Sequence, residues 1–307
     1  MKYIHVPVLL QECMTNLIKD KSGVYVDCTL GTGGHFSQIA KETNEDAVLI
    51  GFDADPKAIQ HCKETHKITQ KHLYINQNFE HIRKHCFRNG YVKVDGILMD
   101  LGMSSFALED KNRGLAFRLE GPLDMRFSPQ IKMSAADFVN NAEVDEIKKI
   151  LWNYGEEKAS GKIAREIENV RAENPIKTTG DLADIVKKFT PERFHNKACS
   201  RVFQAIRIHV NRELDVLEIA LEQTMKMLKP GGRLAIISFH SLEDRIVKKF
   251  IKDKTTDCIC PPEFPICNCD HRALVKNVTR KPILPSEEEL KTNNRSRSAK
   301  LRVVEML

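Results

Sequence analysis

Short runs of apolar, mostly β-branched residues recur along the first hundred positions, each ending at a polar or glycine-rich turn. Val24-Tyr-Val-Asp27 runs into Cys28-Thr-Leu-Gly-Thr-Gly-Gly-His35, and Ala47-Val-Leu-Ile-Gly-Phe52 ends at Asp53. His72-Leu-Tyr-Ile-Asn76 leads to Asn78-Phe79, and Val94-Asp-Gly-Ile-Leu-Met99 ends at Asp100. Near-continuous apolar runs separated by amphipathic stretches predict parallel strands buried on both faces, alternating with helices. Strand signals return at Gly232-Arg-Leu-Ala-Ile-Ile-Ser238 and at Lys300-Leu-Arg-Val-Val-Glu305.

Between about residues 107 and 217 the strand signal stops. A loop rich in Gly, Pro and Arg leads into helices predicted near 143–153, 158–172, 179–188 and 197–228, with Thr178-Thr-Gly-Asp181 and Asn196 as starts. In the last of these, Val202, Phe203, Ile206, Val210, Leu214 and Leu217 share one face, opposite Arg201, Gln204, His209 and Arg212. The expected fold is α/β: a doubly wound, Rossmann-like sheet built from residues 1–106 and 218–307, interrupted by a helical domain over 107–217.

The glycine-rich turn is where chemistry enters. Gly31, Gly33 and Gly34 lack Cβ, so their backbone can take positive φ and approach a ligand closely. Ligands of doubly wound sheets bind outside the carboxyl ends of the strands, which brings Asp27, Asp53, Phe79 and Asp100 to one crevice. Asp53, about twenty residues past the glycines, is placed to accept hydrogen bonds from ribose hydroxyls. A Gly-rich βα turn serves NAD, FAD, nucleotides and S-adenosylmethionine alike. Two further patterns favour the last. Leu228-Lys-Pro-Gly-Gly-Arg-Leu is a helix stop before a fifth strand, and Asp53-Ala-Asp-Pro-Lys-Ala58 is a strand-to-helix step, both usual in methyltransferases of this fold.

At 307 residues the chain has room for one large domain with an insert. No stretch reaches the roughly 18 apolar residues of a membrane span, and the first residues lack a signal-peptide core, so a cytoplasmic protein is expected. Its nine cysteines then read as reduced thiols or metal ligands. A net charge of +6 permits a polyanionic partner without demanding one.

From His5-Val-Pro-Val-Leu-Leu10 to Asn294-Arg-Ser-Arg-Ser-Ala-Lys-Leu-Arg302 the chain resembles a known family: S-adenosylmethionine-dependent methyltransferases that modify the exocyclic N4 amine of a cytosine in 16S ribosomal RNA. The specific blocks are Gly31-Thr-Gly-Gly-His35, Asp100-Leu-Gly-Met-Ser-Ser105, Pro122-Leu-Asp-Met-Arg126, Phe203-Gln-Ala-Ile-Arg207 and Ser238-Phe-His-Ser-Leu-Glu-Asp-Arg245. The resemblance implies a class I methyltransferase sheet, with Gly33, Gly34, His35, Asp53, Phe79 and Asp100 contacting S-adenosylmethionine. It also implies 16S ribosomal RNA, within the small ribosomal subunit, as partner. The chain departs from the family at two places. Phe106-Ala107 stands where a Pro-Gln pair is usual, putting Ala107 at a cofactor-contacting position without a side-chain hydrogen bond, and Asn294 replaces a Pro.

Methylating such an amine needs acceptors that hold its hydrogens, so that the lone pair points at the methyl group. Asp100, or a backbone carbonyl of Leu101 to Ser104, is the candidate acceptor. Candidate RNA contacts are Arg113, Arg118, Arg126, Arg201, Arg207 and Arg212, with Arg295, Arg297, Lys300 and Arg302 near the C-terminus. His240 and Ser241 follow the fifth strand at the mouth of the crevice, where they could contact substrate; Ser241 with Asp244 could instead be a helix-capping pair. Separately, Cys258-Ile-Cys260 and Cys267-Asn-Cys269 are two Cys-x-Cys pairs that could hold one tetrahedral zinc ion, with His271 a further ligand candidate. The resemblance extends to a cysteine-rich insert of this kind and implies a structural role for it. Reduced thiols in a Pro-rich loop are the alternative. Two rival functions stay in view: an NAD-dependent oxidoreductase, which lacks a hydride-site arrangement, and a non-catalytic RNA-binding or assembly factor that keeps the fold.

Overall fold

The computed structural model describes residues 7–261, 268–269 and 271–307. Its strands are β1 (Val24–Asp27), β2 (Val48–Phe52), β3 (Lys71–Ile75), β4 (Val94–Asp100), β5 (Leu228–Ser238), β6 (Val275–Asn277) and β7 (Lys300–Met306). They form one sheet in the order β3-β2-β1-β4-β5-β7-β6. The first five strands pair in parallel, and β7 runs antiparallel to both neighbours. The order reverses between β1 and β4, which makes the carboxyl ends of those two strands the topological switch point.

Strand alternation divides the apolar side chains between two cores. Val26, Ile50 and Ile97 enter one, and Tyr25, Leu49 and Leu98 enter the other. Helices α1 (Leu10–Leu17), α2 (Gly34–Glu42) and α3 (Pro56–Thr65) bring Met14, Leu17, Phe36, Ile39 and Ile59 to the second core. Helix α4 (Ile82–Arg88) brings Ile82 and Cys86 to the first.

The chain divides into two compact units, residues 1–102 with 216–307, and residues 103–215. The second unit holds α5 (Ser105–Glu109), α6 (Ala135–Asn141), α7 (Val144–Gly155), α8 (Ser160–Glu173), α9 (Thr179–Lys187) and α10 (His195–Asn211). Its own core is built on Phe138, Ile147, Leu151, Ile163, Leu182, Val202 and Ile206. Helices α6 and α9 start at reciprocal capping boxes, Ser134 with Asp137 and Thr178 with Asp181, which satisfy otherwise orphaned backbone N–H groups. After it come α11 (Glu213–Met227), α12 (Ser241–Thr255) and α13 (Glu287–Thr292).

Two elements differ from the expectation. The helix predicted over 197–228 is two helices, because Arg212 takes the left-handed conformation at φ 52° and stops α10. Buried Asn211 anchors the break: its Nδ2 donates to the Met125 carbonyl at 2.9 Å, and its Oδ1 accepts the Phe127 N–H at 2.7 Å. The apolar period runs on across the stop because each half faces its own core, Val210 in one unit and Leu217 in the other. The fifth strand also starts earlier than expected. Pairing with β4 begins at Leu228, and the register shifts across Lys229-Pro-Gly-Gly232, where Gly231 sits at φ 77°. The turn signal therefore marks an irregularity inside β5 and not its beginning. Among the described residues no helix is long and apolar enough to cross a membrane.

Candidate active site

At the carboxyl end of β1, Asp27 is almost fully buried and accepts the Thr29 N–H at 3.0 Å. Burial raises its carboxyl from the ordinary range to about 7, with the nearby Asp53 charge adding to the rise. The chain then turns through Gly31 (φ 51°) and Gly33 (φ 80°) into α2. A Cβ on Gly33 would lie 2.7 Å from Cys62 Sγ, and one on Gly34 would lie 2.3 Å from Pro7 Cγ. Both positions are thus closed to any side chain, and the turn is clamped further by His66 Nε2 on the Thr32 carbonyl at 2.8 Å.

Asp53, at the end of β2, ties this turn to its own strand. Its Oδ2 accepts the Gly31 N–H at 2.7 Å and its Oδ1 the Asp55 N–H at 2.8 Å. The two bonds fix the carboxylate's orientation, and a carboxylate's acceptor capacity exceeds two. Asn76, past β3, donates to the Asp53 carbonyl at 2.9 Å. Phe79 follows on a short 3-10 turn capped by Asn78, half-buried against the core.

Asp100 closes β4. Its N–H donates to the Thr29 hydroxyl at 2.7 Å, which joins the ends of β1 and β4 across the switch point. Its Oδ2 lies 3.6 Å from Nδ1 of His35 on α2. The other nitrogen of that ring is 3.0 Å from the Val8 carbonyl, so Nε2 carries a proton and Nδ1 faces the carboxyl. Oδ1 of Asp100 is buried and has no hydrogen-bond partner among the described residues. Burial raises this carboxyl well above the usual range, and the charges of Asp27 and Glu243 add to it.

Glu243 is a site residue that sequence reasoning missed. It is buried on the first turn of α12 and accepts the Phe239 N–H at 2.8 Å and the His240 N–H at 3.2 Å. The expected capping pair, Ser241 with Asp244, is not formed. His240 is the N-cap and Glu243 its reciprocal partner, while Asp244 binds Lys300 at 3.0 Å and Arg302 at 2.9 Å. A His-x-x-Glu spacing ahead of an apolar run was the available signal, hidden because histidine is an uncommon cap.

Ala107 belongs to the helical unit. Ser104 caps α5 through the Ala107 N–H at 3.2 Å, and the Ala107 methyl is buried in that unit's core. Most of the arginines proposed from sequence as RNA contacts are occupied inside the protein. Arg207 is buried and bidentate to Glu213 at 2.8 and 2.9 Å, and Arg201 pairs with buried Glu157. Arg126 forks onto Asp124 at 2.9 and 2.7 Å, and Arg113 donates to the carbonyls of Arg126 and Phe127. These guanidinium groups hold neighbouring segments in place, and of the four only Arg207 is buried. Arg118, Arg212 and Arg297 are the exposed members of the set.

The crevice fits S-adenosylmethionine. Asp53 is an oriented acceptor at the end of β2, and Asp100 Oδ1 is a buried carboxyl oxygen without a partner among the described residues. A cationic sulfonium would favour the ionised forms of Asp27 and Asp100, which burial otherwise disfavours. Fold and site together define an S-adenosylmethionine-dependent methyltransferase.

Comparison with known proteins narrows the class. A model of the MraW methylase family matches residues 2–307, and the chain belongs to that family. It is 48% identical over 305 residues to Ribosomal RNA small subunit methyltransferase H of Clostridium botulinum (strain Kyoto / Type A2), covering 99% of each chain. It is 46% identical to the protein of that name from Clostridioides difficile (strain 630), covering all of both chains. The Brevibacillus brevis protein of that name is 45% identical, over 100% of this chain and 99% of its own.

Proposed function

We propose that this protein methylates the exocyclic N4 amine of a cytosine in 16S ribosomal RNA, acting on the small ribosomal subunit in the cytoplasm. The observation that carries this reading is full-length similarity, at 45 to 48% identity, to relatives named for methylating small-subunit ribosomal RNA.

S-adenosylmethionine supplies an electrophilic methyl group. When bound, it would sit at the Gly31–Gly34 turn, with Asp53 accepting from its ribose and His35, Phe79 and Asp100 lining the remainder. The target amine is a weak nucleophile because its lone pair is delocalised into the ring. Asp100 accepts the amine's hydrogens through Oδ1, the buried oxygen that lacks a partner, and so turns the lone pair toward the methyl group. Attack leaves the amine with an extra proton. Burial makes the ionised Asp100 carboxylate more basic than an ordinary aspartate, so it takes that proton more readily. His35 Nδ1 faces Oδ2 from the other side at 3.6 Å.

We assign RNA recognition to the helical unit over about 107–217, together with the C-terminal run at Arg295–Arg302, where Arg297 is exposed while Lys300 and Arg302 pair with Asp244. That unit contains a cleft of about 450 Å³ lined in part by Tyr154, His209 and Arg212, whose planar and cationic groups suit a nucleotide. The role of Asp100 is tested by Asp100→Asn, which keeps the shape and removes the basicity. Methyl transfer should fall about 10²-fold or more while S-adenosylhomocysteine affinity stays within about tenfold. Unchanged turnover would refute the assignment.

A further inference from the structure

The loop between α12 and β6 carries a feature that the methyltransferase site does not use. The Sγ atoms of Cys258, Cys260 and Cys269 all lie within 4.8 Å of one another. Those of Cys258 and Cys269 are 3.8 Å apart. A tetrahedral zinc centre with Zn–S bonds of about 2.3 Å has sulfur–sulfur edges of about 3.8 Å. We propose that these three thiolates bind one structural zinc ion, a site separate from the cofactor crevice.

The polar contacts around the sulfurs support the assignment. Cys258 Sγ accepts the Cys260 N–H at 3.4 Å, Cys260 Sγ accepts the Asn268 N–H at 3.4 Å, and Cys269 Sγ accepts the Ile259 N–H at 3.5 Å. Backbone N–H donors of this kind stabilise negative sulfur and hold each ligand in orientation. The cysteines at 13, 28, 62, 86 and 199 sit quite differently, buried among the apolar side chains of the cores. Two residues past Cys269 stands His271, whose buried Nδ1 has no hydrogen-bond partner among the described residues. Two residues before it stands Cys267, which lies outside the described residues. The three described thiolates leave the fourth position of a tetrahedral zinc ion to a further donor.

The loop's base is already joined, by the Leu274 N–H on the Lys254 carbonyl at 2.8 Å and the Ala273 N–H on Asp257 at 3.2 Å. Zinc closes its far end. In the sheet, β6 is separated from β4 by β5 and β7, so the ion stabilises an edge of the fold and takes no part in methyl transfer.

The test uses the full chain, purified under reducing conditions without chelator and assayed for metal by mass spectrometry. About one zinc per chain is expected, dropping to about a tenth in Cys258→Ser and in Cys269→Ser and unchanged in Cys199→Ala. Because a serine variant could lose zinc by misfolding, Co²⁺ is also added to the metal-stripped wild-type protein. Thiolate-to-metal charge-transfer bands with the d–d pattern of a tetrahedral ion support the site. Folded, reduced protein that contains no zinc and takes up no Co²⁺ overturns it. So does finding Cys258 and Cys269 joined as a disulfide when the protein is kept reduced.

Discussion

Asp27 and Asp100 are carboxyls whose ionisation is disfavoured by burial, and both consequences are measurable. Asp27 titrates near 7 in the folded protein against 3.8 in the unfolded chain, so the folded state binds the proton more tightly. Stability is therefore greatest below the unfolded value and is lost as pH rises toward 7, by at most about 1.4 kcal/mol per pH unit. Asp27→Asn removes that slope. Denaturant titrations at several pH values should show the variant gaining on the wild type as pH rises through this window, and parallel curves would contradict the assignment. The second consequence concerns ligands. A cationic sulfonium favours the ionised carboxyls, whereas the neutral thioether of S-adenosylhomocysteine does not. S-adenosylmethionine should tighten relative to S-adenosylhomocysteine by roughly tenfold as pH rises from acid to neutral, as the linkage between charge and proton binding requires. Calorimetry at a series of pH values reads this directly.

At the scale of elements, the break at Arg212 is the clearest case of local conformation overriding pattern. A left-handed residue with a Cβ is disfavoured by about 1–2 kcal/mol, and glycine avoids that penalty. The Arg212 side chain is exposed and its ion pair with Asp215, at 3.5 Å, is too weak to compensate. Arg212→Gly should therefore raise unfolding stability by about 0.5–1 kcal/mol in denaturant melts. A loss of stability would show that the arginine does more than end a helix. Legibility differed among elements for physical reasons. Strands buried on both faces leave continuous apolar runs, so β1 to β4 and their polar ends at Asp27, Asp53 and Asp100 could be read directly. The seven-residue helix α6 is too short to show a period, and the cap of α12 uses a histidine. Among the arginines, charge alone does not distinguish a phosphate ligand from an internal ion-pair partner such as buried Arg207 on Glu213 or part-exposed Arg201 on Glu157.

Across the whole molecule, stability is spread over separate cores and a charged network at the sheet's edge. Glu305 on β7 illustrates the network: burial alone would raise its carboxyl, but hydrogen bonds from Lys276, Arg233 and Lys19 outweigh this and hold it at about 2. The lowered value means that its stabilising contribution is complete above about 4.5 and is lost as pH falls toward 2. Substrate identity belongs to this scale too, because it depends on how much structured RNA the protein engages. The most direct test is transfer of labelled methyl from S-adenosylmethionine to small ribosomal subunits lacking the modification, with naked 16S RNA alongside, followed by mapping of the label. Label is expected on the N4 amine of one cytosine in the RNA, abolished by Asp53→Ala and by Asp100→Asn. Label on another atom or another RNA, or full activity in either variant, would contradict the proposed function.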